Sequence, residues 1–271
     1  MSGAAVGLFD SLAENYEQHF AEPHRRAYDD LAWELVSTWL PDRPGTIVDV
    51  GCGTGRWARR LLKLGHQVIG IEPAPKMAAR AEALTDTGRF TLVRSDLEHA
   101  ELPAAGADLV LAMGSLQYSQ DPAAALIRLA GWARPDARVC VLVDSLIALV
   151  VELCRRGETD TALQRLSERR GHWRIGDQQA GLTLFDAAEL AAAFAAAGLS
   201  VDSCTGLLVG ASLLGRTELV DELARNFAGR LAIERRLSAR PELADLGKQL
   251  LVIGRRETSR RNQPPARPGS P

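Results

Sequence analysis

The sequence predicts an α/β fold built around a mostly parallel sheet. Short β-branched or apolar runs, beginning with Thr46–Val50 and Gln67–Ile71, alternate with stretches of helical periodicity, the pattern of repeated βα units. Three of the early runs carry or end in a carboxylate, Asp49, Glu72 and Asp96, at the edge where open α/β sheets bind ligands. Glycines at 51, 53 and 55 follow the first run directly and lead into residues 56–64, a helix by pattern.

In chain order, residues 9–17 are helical by spacing, with Phe9, Leu12, Ala13 and Tyr16 on one face. A second helix opens at Pro23, runs through Trp33, Val36 and Leu40, and stops at Pro41. The first strand then meets its three glycines, whose missing Cβ lets the backbone take positive φ and lie directly against a ligand. A dinucleotide site would read G-x-G-x-x-G, but position 56 is Arg56 and the glycines run G-x-G-x-G, so the pyrophosphate fingerprint is lost. Asp49 sits among Ile47, Val48 and Val50, where an unpaired carboxylate would cost several kcal/mol. It needs a donor, and the ammonium group of an amino-acid-like ligand would be one.

Residues 49–55 match in full the D-x-G-x-G-x-G motif of the class I S-adenosylmethionine-dependent methyltransferases, and the sequence resembles that family from roughly Phe9 to Arg256. The resemblance implies a Rossmann-like sheet of seven strands in the order 3-2-1-4-5-7-6, and S-adenosyl-L-methionine as cofactor with S-adenosyl-L-homocysteine as product. It also implies that Asp49, Gly51, Cys52, Gly53 and Gly55 hold the methionine portion. Residues 9–17 are similar to the F-D-x-x-A-x-x-Y-D opening of many small-molecule methyltransferases, with Glu17 in place of aspartate. In those proteins this helix caps the cofactor, which would set Tyr16 near the methionine end; ordinary helix packing is the alternative. Arg25 resembles a position that pairs with the cofactor's carboxylate in the bacterial tRNA wobble-uridine carboxymethyl methyltransferases, a role suited to the planar guanidinium fork.

The second strand closes at Glu72-Pro73, and a carboxylate there can accept both ribose hydroxyls while repelling a 2′-phosphate. Residues 90–96 form a third strand ending in Asp96. By the resemblance this aspartate accepts from the adenine amino group and the Leu97 N–H reaches a ring nitrogen; capping the following turn is a compatible alternative. The apolar run Ala107–Met113 is a fourth strand that delivers Met113, Gly114 and Tyr118 to the same edge, before Asp121-Pro122 starts a helix. Residues 137–144 read as a fifth strand, 186–198 as an alanine-rich helix ended by glycine, 199–204 as a sixth strand and 249–254 as the last.

Two segments exceed this minimal pattern. Residues 146–174 read as helix, rich in arginine and carrying His172 and Trp173, and residues 213–239 read as two more helices. Residues 1–256 are therefore expected to form one domain, with 1–41 as cap helices and 145–175 and 211–240 as helical lid insertions over the carboxyl edge. The polar stretch 257–271, with four prolines, is expected to be disordered.

A 46% hydrophobic, 24% charged composition fits a globular chain. A net charge of −2 offers no general attraction to phosphate backbones or anionic lipid, which favours a small-molecule acceptor over tRNA. Cys52, Cys140, Cys154 and Cys204 are scattered without metal-ligand or disulfide spacing, and no apolar run is long enough to span a bilayer. A cytoplasmic protein, with no metal and no membrane partner and free to form homo-oligomers, is the expectation.

The methyl group of such a cofactor already bears its leaving group, so the protein must mainly hold nucleophile, carbon and sulfur in line and exclude water. Methyl transfer to oxygen or nitrogen of a small metabolite is the function expected. Tyr118, as a lining of the transfer channel or as a packing residue, and His172, beside Trp173, are the candidate catalytic groups. The alternatives are a tRNA-modifying enzyme acting on a wobble-uridine carboxylate, and a cyclase or aminocarboxypropyl transferase that binds the same cofactor.

Overall fold

The computed structural model describes residues 3–257. Nine strands are present among them: β1 (Thr46–Val50), β2 (Gln67–Ile71), β3 (Phe90–Val93), β4 (Ala107–Met113), β5 (Ala133–Asp144), β6 (Arg170–Ile175), β7 (Gln178–Thr183), β8 (Leu199–Leu207) and β9 (Gln249–Arg256). Seven of them form one sheet in the order β3-β2-β1-β4-β5-β9-β8, parallel from β3 to β5 and antiparallel at β9. This is the order implied above, since β9 and β8 are the seventh and sixth strands of that sheet. Because β9 runs against β5, residues that precede it, such as Lys248, sit at the same edge as Asp144.

The helices are α1 (Gly3–Leu12), α2 (Tyr16–His19), α3 (Pro23–Ser37), α4 (Arg56–Lys63), α5 (Pro75–Glu82), α6 (Pro122–Trp132), α7 (Leu146–Arg155), α8 (Thr159–Glu168), α9 (Ala187–Ala196), α10 (Val209–Leu214), α11 (Arg216–Arg225) and α12 (Phe227–Ser238). Strands covered on both faces read as continuous apolar runs, and the core is accordingly split by the sheet. On one face Leu126, Leu129 and Phe194 of α6 and α9 pack against Val110, Val139 and Val141. On the other, Leu31 and Leu61 of α3 and α4 pack against Ile47, Leu109 and Cys140. The start of α6 follows its sequence signal: the Asp121 carboxylate accepts from the Ala124 N–H at 3.0 Å and Pro122 fills a first-turn position that needs no donor.

Several boundaries differ from the sequence reading. The helix expected over 9–17 breaks after Leu12, and Tyr16 opens the separate α2. The third strand ends at Val93, and the sixth strand of the sheet extends to Leu207. Residues 209–238 hold three helices rather than two. The largest departure is in 146–174, which is not helical throughout: α8 ends at Glu168, capped by Arg169 at φ 54°, and β6 and β7 form a separate hairpin. A tight Gly176-Asp177 turn, with Gly176 at φ +54°, reverses the chain. Gly171, Trp173 and Ile175 then alternate inward while His172 and Arg174 face out, so Arg170 and Arg174 are exposed positions of a strand and not of a helix face. The 145–175 insertion is thus helical only in its first part. The stretch 258–271, expected to be disordered, lies outside the described residues.

Candidate cofactor and acceptor site

The loop after β1 is tied to the strands beside it. The N–H groups of Gly51 and Cys52 both donate to the Ile71 carbonyl, at 2.8 and 3.1 Å, and the Val50 carbonyl accepts from the Ser115 hydroxyl at 2.6 Å. Gly51 has φ +70°, and a Cβ there would stand 2.6 Å from the Ser115 Cβ, so no other residue fits the turn. A Cβ on Gly53 would meet only the Tyr16 ring, at 3.7 Å, which places that aromatic over the loop.

Tyr16 is held there by its neighbours. It packs edge-on against Phe20 at 5.1 Å, and the Arg56 guanidinium lies 3.6 Å over the other ring. Arg56 and Arg60 both pair with buried Asp29 of α3, the latter at 2.7 Å, so the start of α4 is pinned to α3. Burial pushes the Tyr16 phenol up to about 12, which keeps it protonated. Glu17, the departure from the family opening, accepts from the Thr54 hydroxyl at 2.8 Å and pairs with Arg59, fastening α2 to the glycine loop. Nothing in the sequence alone assigned it that contact, because its partner lies on another element.

The acids at the strand tips differ in state. Asp49 is 2% exposed, its Oδ2 has no hydrogen-bond partner, and burial raises its carboxyl to about 7 against the opposing pull of Arg56. Glu72 is also buried and raised to about 7, although its two oxygens accept from the Ala74 and Gly53 N–H groups, each at 2.8 Å. Asp96 accepts from the His99 N–H at 3.0 Å and contacts the His99 ring at 2.6 Å, the turn-capping arrangement. Leu97 and Pro73 line a recess of only about 10 Å³ with Gly51, Ser115, Glu98 and Ser119. Burial raises the Cys52 thiol and favours its protonated form.

These residues suit S-adenosylmethionine at its amino-acid end. The orphaned Asp49 oxygen matches an ammonium donor, and the open side of Gly53 matches close approach of a ligand to backbone. At the base end the recess beside Leu97 has to widen to take a purine, and Glu98, which accepts from Ser119 and Gln120 at 2.8 and 2.9 Å, forms one side of it.

Beyond Met113 and Gly114, with Gly114 at φ +89°, lies a cavity of about 220 Å³. Tyr16, Arg25, Tyr28 and Tyr118 line it together with Phe9 and Trp173, so six residues from the cap, the fourth-strand loop and the hairpin converge there. Tyr118 is 6% exposed, meets Phe9 edge-on at 5.3 Å, and has its phenol raised by burial and by Asp144. It is thus a neutral wall and donor, unsuited to act as a base at neutral pH. Arg25 reaches Glu22 at 3.8 Å and its Nε has no hydrogen-bond partner. His172 does not line this cavity: it sits on the outer face of the hairpin and borders a second one, while Trp173 borders both.

Sequence reasoning passed over Gln117, Asp144 and Lys248. The Gln117 amide oxygen accepts from the Asp144 N–H at 2.6 Å and its nitrogen donates to the Asp144 carboxylate at 3.2 Å. Asp144 ends a strand at the ligand edge as Glu72 does, and that signal was available. Lys248 becomes visible only once β9 is known to run antiparallel beside β5.

The methyltransferase-domain family matches residues 18–203. An uncharacterized methyltransferase of Mycobacterium bovis is 30% identical over 108 residues, 40% of this chain and 55% of its own length, so the match spans about half of that relative. An S-adenosylmethionine-dependent methyltransferase from Mesorhizobium loti superposes with a TM-score of 0.56 at 20% identity, covering 84% of this chain and 100% of that one. The Burkholderia thailandensis 1,6-didemethyltoxoflavin-N1-methyltransferase, solved with its substrate and S-adenosylhomocysteine, superposes with a TM-score of 0.55 at 17% identity over 94% of this chain and 88% of its own. With the family pattern covering more than half of its length and the seven-stranded sheet in the matching order, the chain belongs to the methyltransferase-domain family, within the class I S-adenosylmethionine-dependent fold.

Proposed function

We propose that the protein transfers the methyl group of S-adenosylmethionine to an oxygen or nitrogen of a small-molecule acceptor. The observation that carries this reading is the cavity of about 220 Å³ beyond Gly114, roofed by Phe9 and Trp173 and walled by Tyr118. Its size and aromatic lining suit a small-molecule acceptor. The N1-methyltransferase from Burkholderia thailandensis, solved with 1,6-didemethyltoxoflavin bound, supports the same class.

When bound, S-adenosylmethionine supplies an electrophilic methyl carbon whose leaving group is a neutral thioether. Asp49, Tyr16 and Arg25 hold its amino-acid end, and Glu72 and Asp96 stand at the sugar and base end. Gln117 fixes the loop carrying Tyr118 to the tip of β5, so the wall facing the methyl group is set before the acceptor arrives. That methyl carbon would be open to attack by a lone pair of the acceptor, the electrons of the carbon–sulfur bond leaving with sulfur. An acceptor already ionised or carrying a free amine needs no base for that attack, and the protonated state of Tyr118 is consistent with this.

The test uses S-adenosylmethionine labelled on the methyl in one reaction and on the aminocarboxypropyl carbon in another, each with a fractionated metabolite extract. Label from the methyl alone should enter a low-mass product. Transfer of the other label, or incorporation into RNA only, would overturn the proposal.

A further inference from the structure

A second cavity, of about 240 Å³, lies between α7, the β6–β7 hairpin and α10. Asp144, Trp173, Arg216 and Lys248 border both cavities, so these four residues form the neck between them. Past the neck the walls are mainly apolar, with Leu149 of α7 facing Leu182 and Leu184 from the hairpin side.

The charges at the neck are unevenly satisfied. Asp144 accepts from the Gln117 and Gln249 amides at 3.2 and 3.5 Å, and Glu152 pairs with Arg156 at 3.2 Å. Both acids that border these cavities are thus engaged by other donors. Among the described residues no carboxylate lies within 4.0 Å of Lys248 or of Arg216. Arg216 makes its contact instead with the His24 Nε2, at 3.4 Å. That imidazole, driven down to about 4 by burial and by Arg216 itself, is neutral and supplies no countercharge. Lys248 is partly buried, and desolvation lowers its pKa despite Glu152 and Asp144 nearby. An ammonium withdrawn from water without an ion-pair partner is costly, and an anionic ligand would offset that cost.

We propose that the methyl acceptor is an apolar carboxylic acid, its carboxylate held by Lys248 and Arg216 at the neck and its hydrocarbon body occupying the second cavity. An oxygen or nitrogen substituent beside that carboxylate then faces the first cavity, toward Gly114 and Tyr118. This rests on the methyl-transfer reading and adds the acceptor's chemical class to it. Lys248 and Arg216 are specificity-determining residues that take no part in moving the methyl group.

Calorimetry on the full chain, first with S-adenosylhomocysteine and then on the loaded protein, tests it. The probes are phenylacetate, 3-phenylpropionate and indole-3-acetate, each beside its primary amide. At least one acid should bind the loaded protein, with its amide about tenfold weaker or more, since loss of a charge-assisted contact of 1.5–3 kcal/mol corresponds to roughly 10- to 150-fold. Lys248→Met and Arg216→Met should each weaken that acid by about tenfold or more and leave S-adenosylhomocysteine affinity within about twofold, and Lys248→Arg should retain acid binding. Acids and amides binding alike, or no acid binding to the loaded protein, would overturn the proposal. So would variants that weaken S-adenosylhomocysteine as much as the acid, which would assign both cations to the cofactor's own carboxylate. Absence of heat with S-adenosylhomocysteine itself would instead remove the methyltransferase reading beneath it.

Discussion

Asp49 shows how one residue can be set against the stability of its own fold. Its carboxyl, raised to about 7 by burial, binds its proton more tightly in the folded chain than in the unfolded one. Between roughly pH 4 and 7 the native state therefore holds more protons, and this group's contribution to stability falls as pH rises through that window. Asp49→Asn removes the buried charge, so the ligand-free variant should melt above the wild type at pH 8, by about 1 kcal/mol or 2–4 °C. The same change should weaken S-adenosylhomocysteine about 10- to 100-fold by calorimetry, because a neutral amide cannot pair with an ammonium. A variant that binds as tightly as the wild type would show that Asp49 does not hold the ligand. The wild type should also bind more weakly as pH is lowered below about 7, up to tenfold per unit, with Glu72 titrating in the same range. Gly51→Ala, by contrast, should be destabilising by several kcal/mol at any pH, since the added Cβ collides with Ser115 in a loop already at φ +70°. Loss of a cooperative thermal transition, or a melting point more than about 10 °C lower, is the expected reading.

At the scale of elements, the β6–β7 hairpin is anchored by Trp173, whose ring lies 5.3 Å from that of Phe9. Trp173→Ala should cost about 2 kcal/mol locally, less than a fully buried tryptophan, and speed tryptic cleavage after Arg170 or Arg174 about 30-fold. Cleavage at the wild-type rate would mean that other contacts hold the hairpin. This element was the least legible in the sequence. Its only turn signal is Gly176-Asp177, and its arginines at every second or fourth place fit a solvated helix as well as a strand. The glycine loop and the strand-tip acids were legible because their information is local: a motif of seven residues fixes strand, turn and helix start together. The Glu17–Thr54 contact, the Gln117 lock on Asp144 and the neck formed by Lys248 and Arg216 join residues distant in the chain. The residue types were plain to see, but which charges would find partners depended on where the insertions folded.

For the molecule as a whole, ligand binding and net charge give two further measurements. A ligand confined to the folded state stabilises it by about 2.7 kcal/mol at a hundred times its Kd. Saturating S-adenosylhomocysteine should accordingly raise the melting temperature by roughly 5–10 °C, and adenosine alone by less, since it lacks the groups that meet Asp49 and Arg25. A formal charge of −2 leaves little attraction for a polyanion, so filter binding at about 150 mM salt should retain no tRNA. Retention there would favour the RNA-modifying alternative.

Phe9 touches Tyr118 on one side and Trp173 on the other, while Asp10 beside it accepts from the Lys76 N–H at 2.8 Å. One short helix thereby joins the cover of the first cavity to the start of α5, next to the tip of β2. Swinging it aside to admit a nucleoside also unseats the ceiling over the second reactant, so the two occupants are not expected to come and go independently. Steady-state kinetics should show compulsory sequence, the nucleoside entering first and departing last, with its escape setting the pace of turnover.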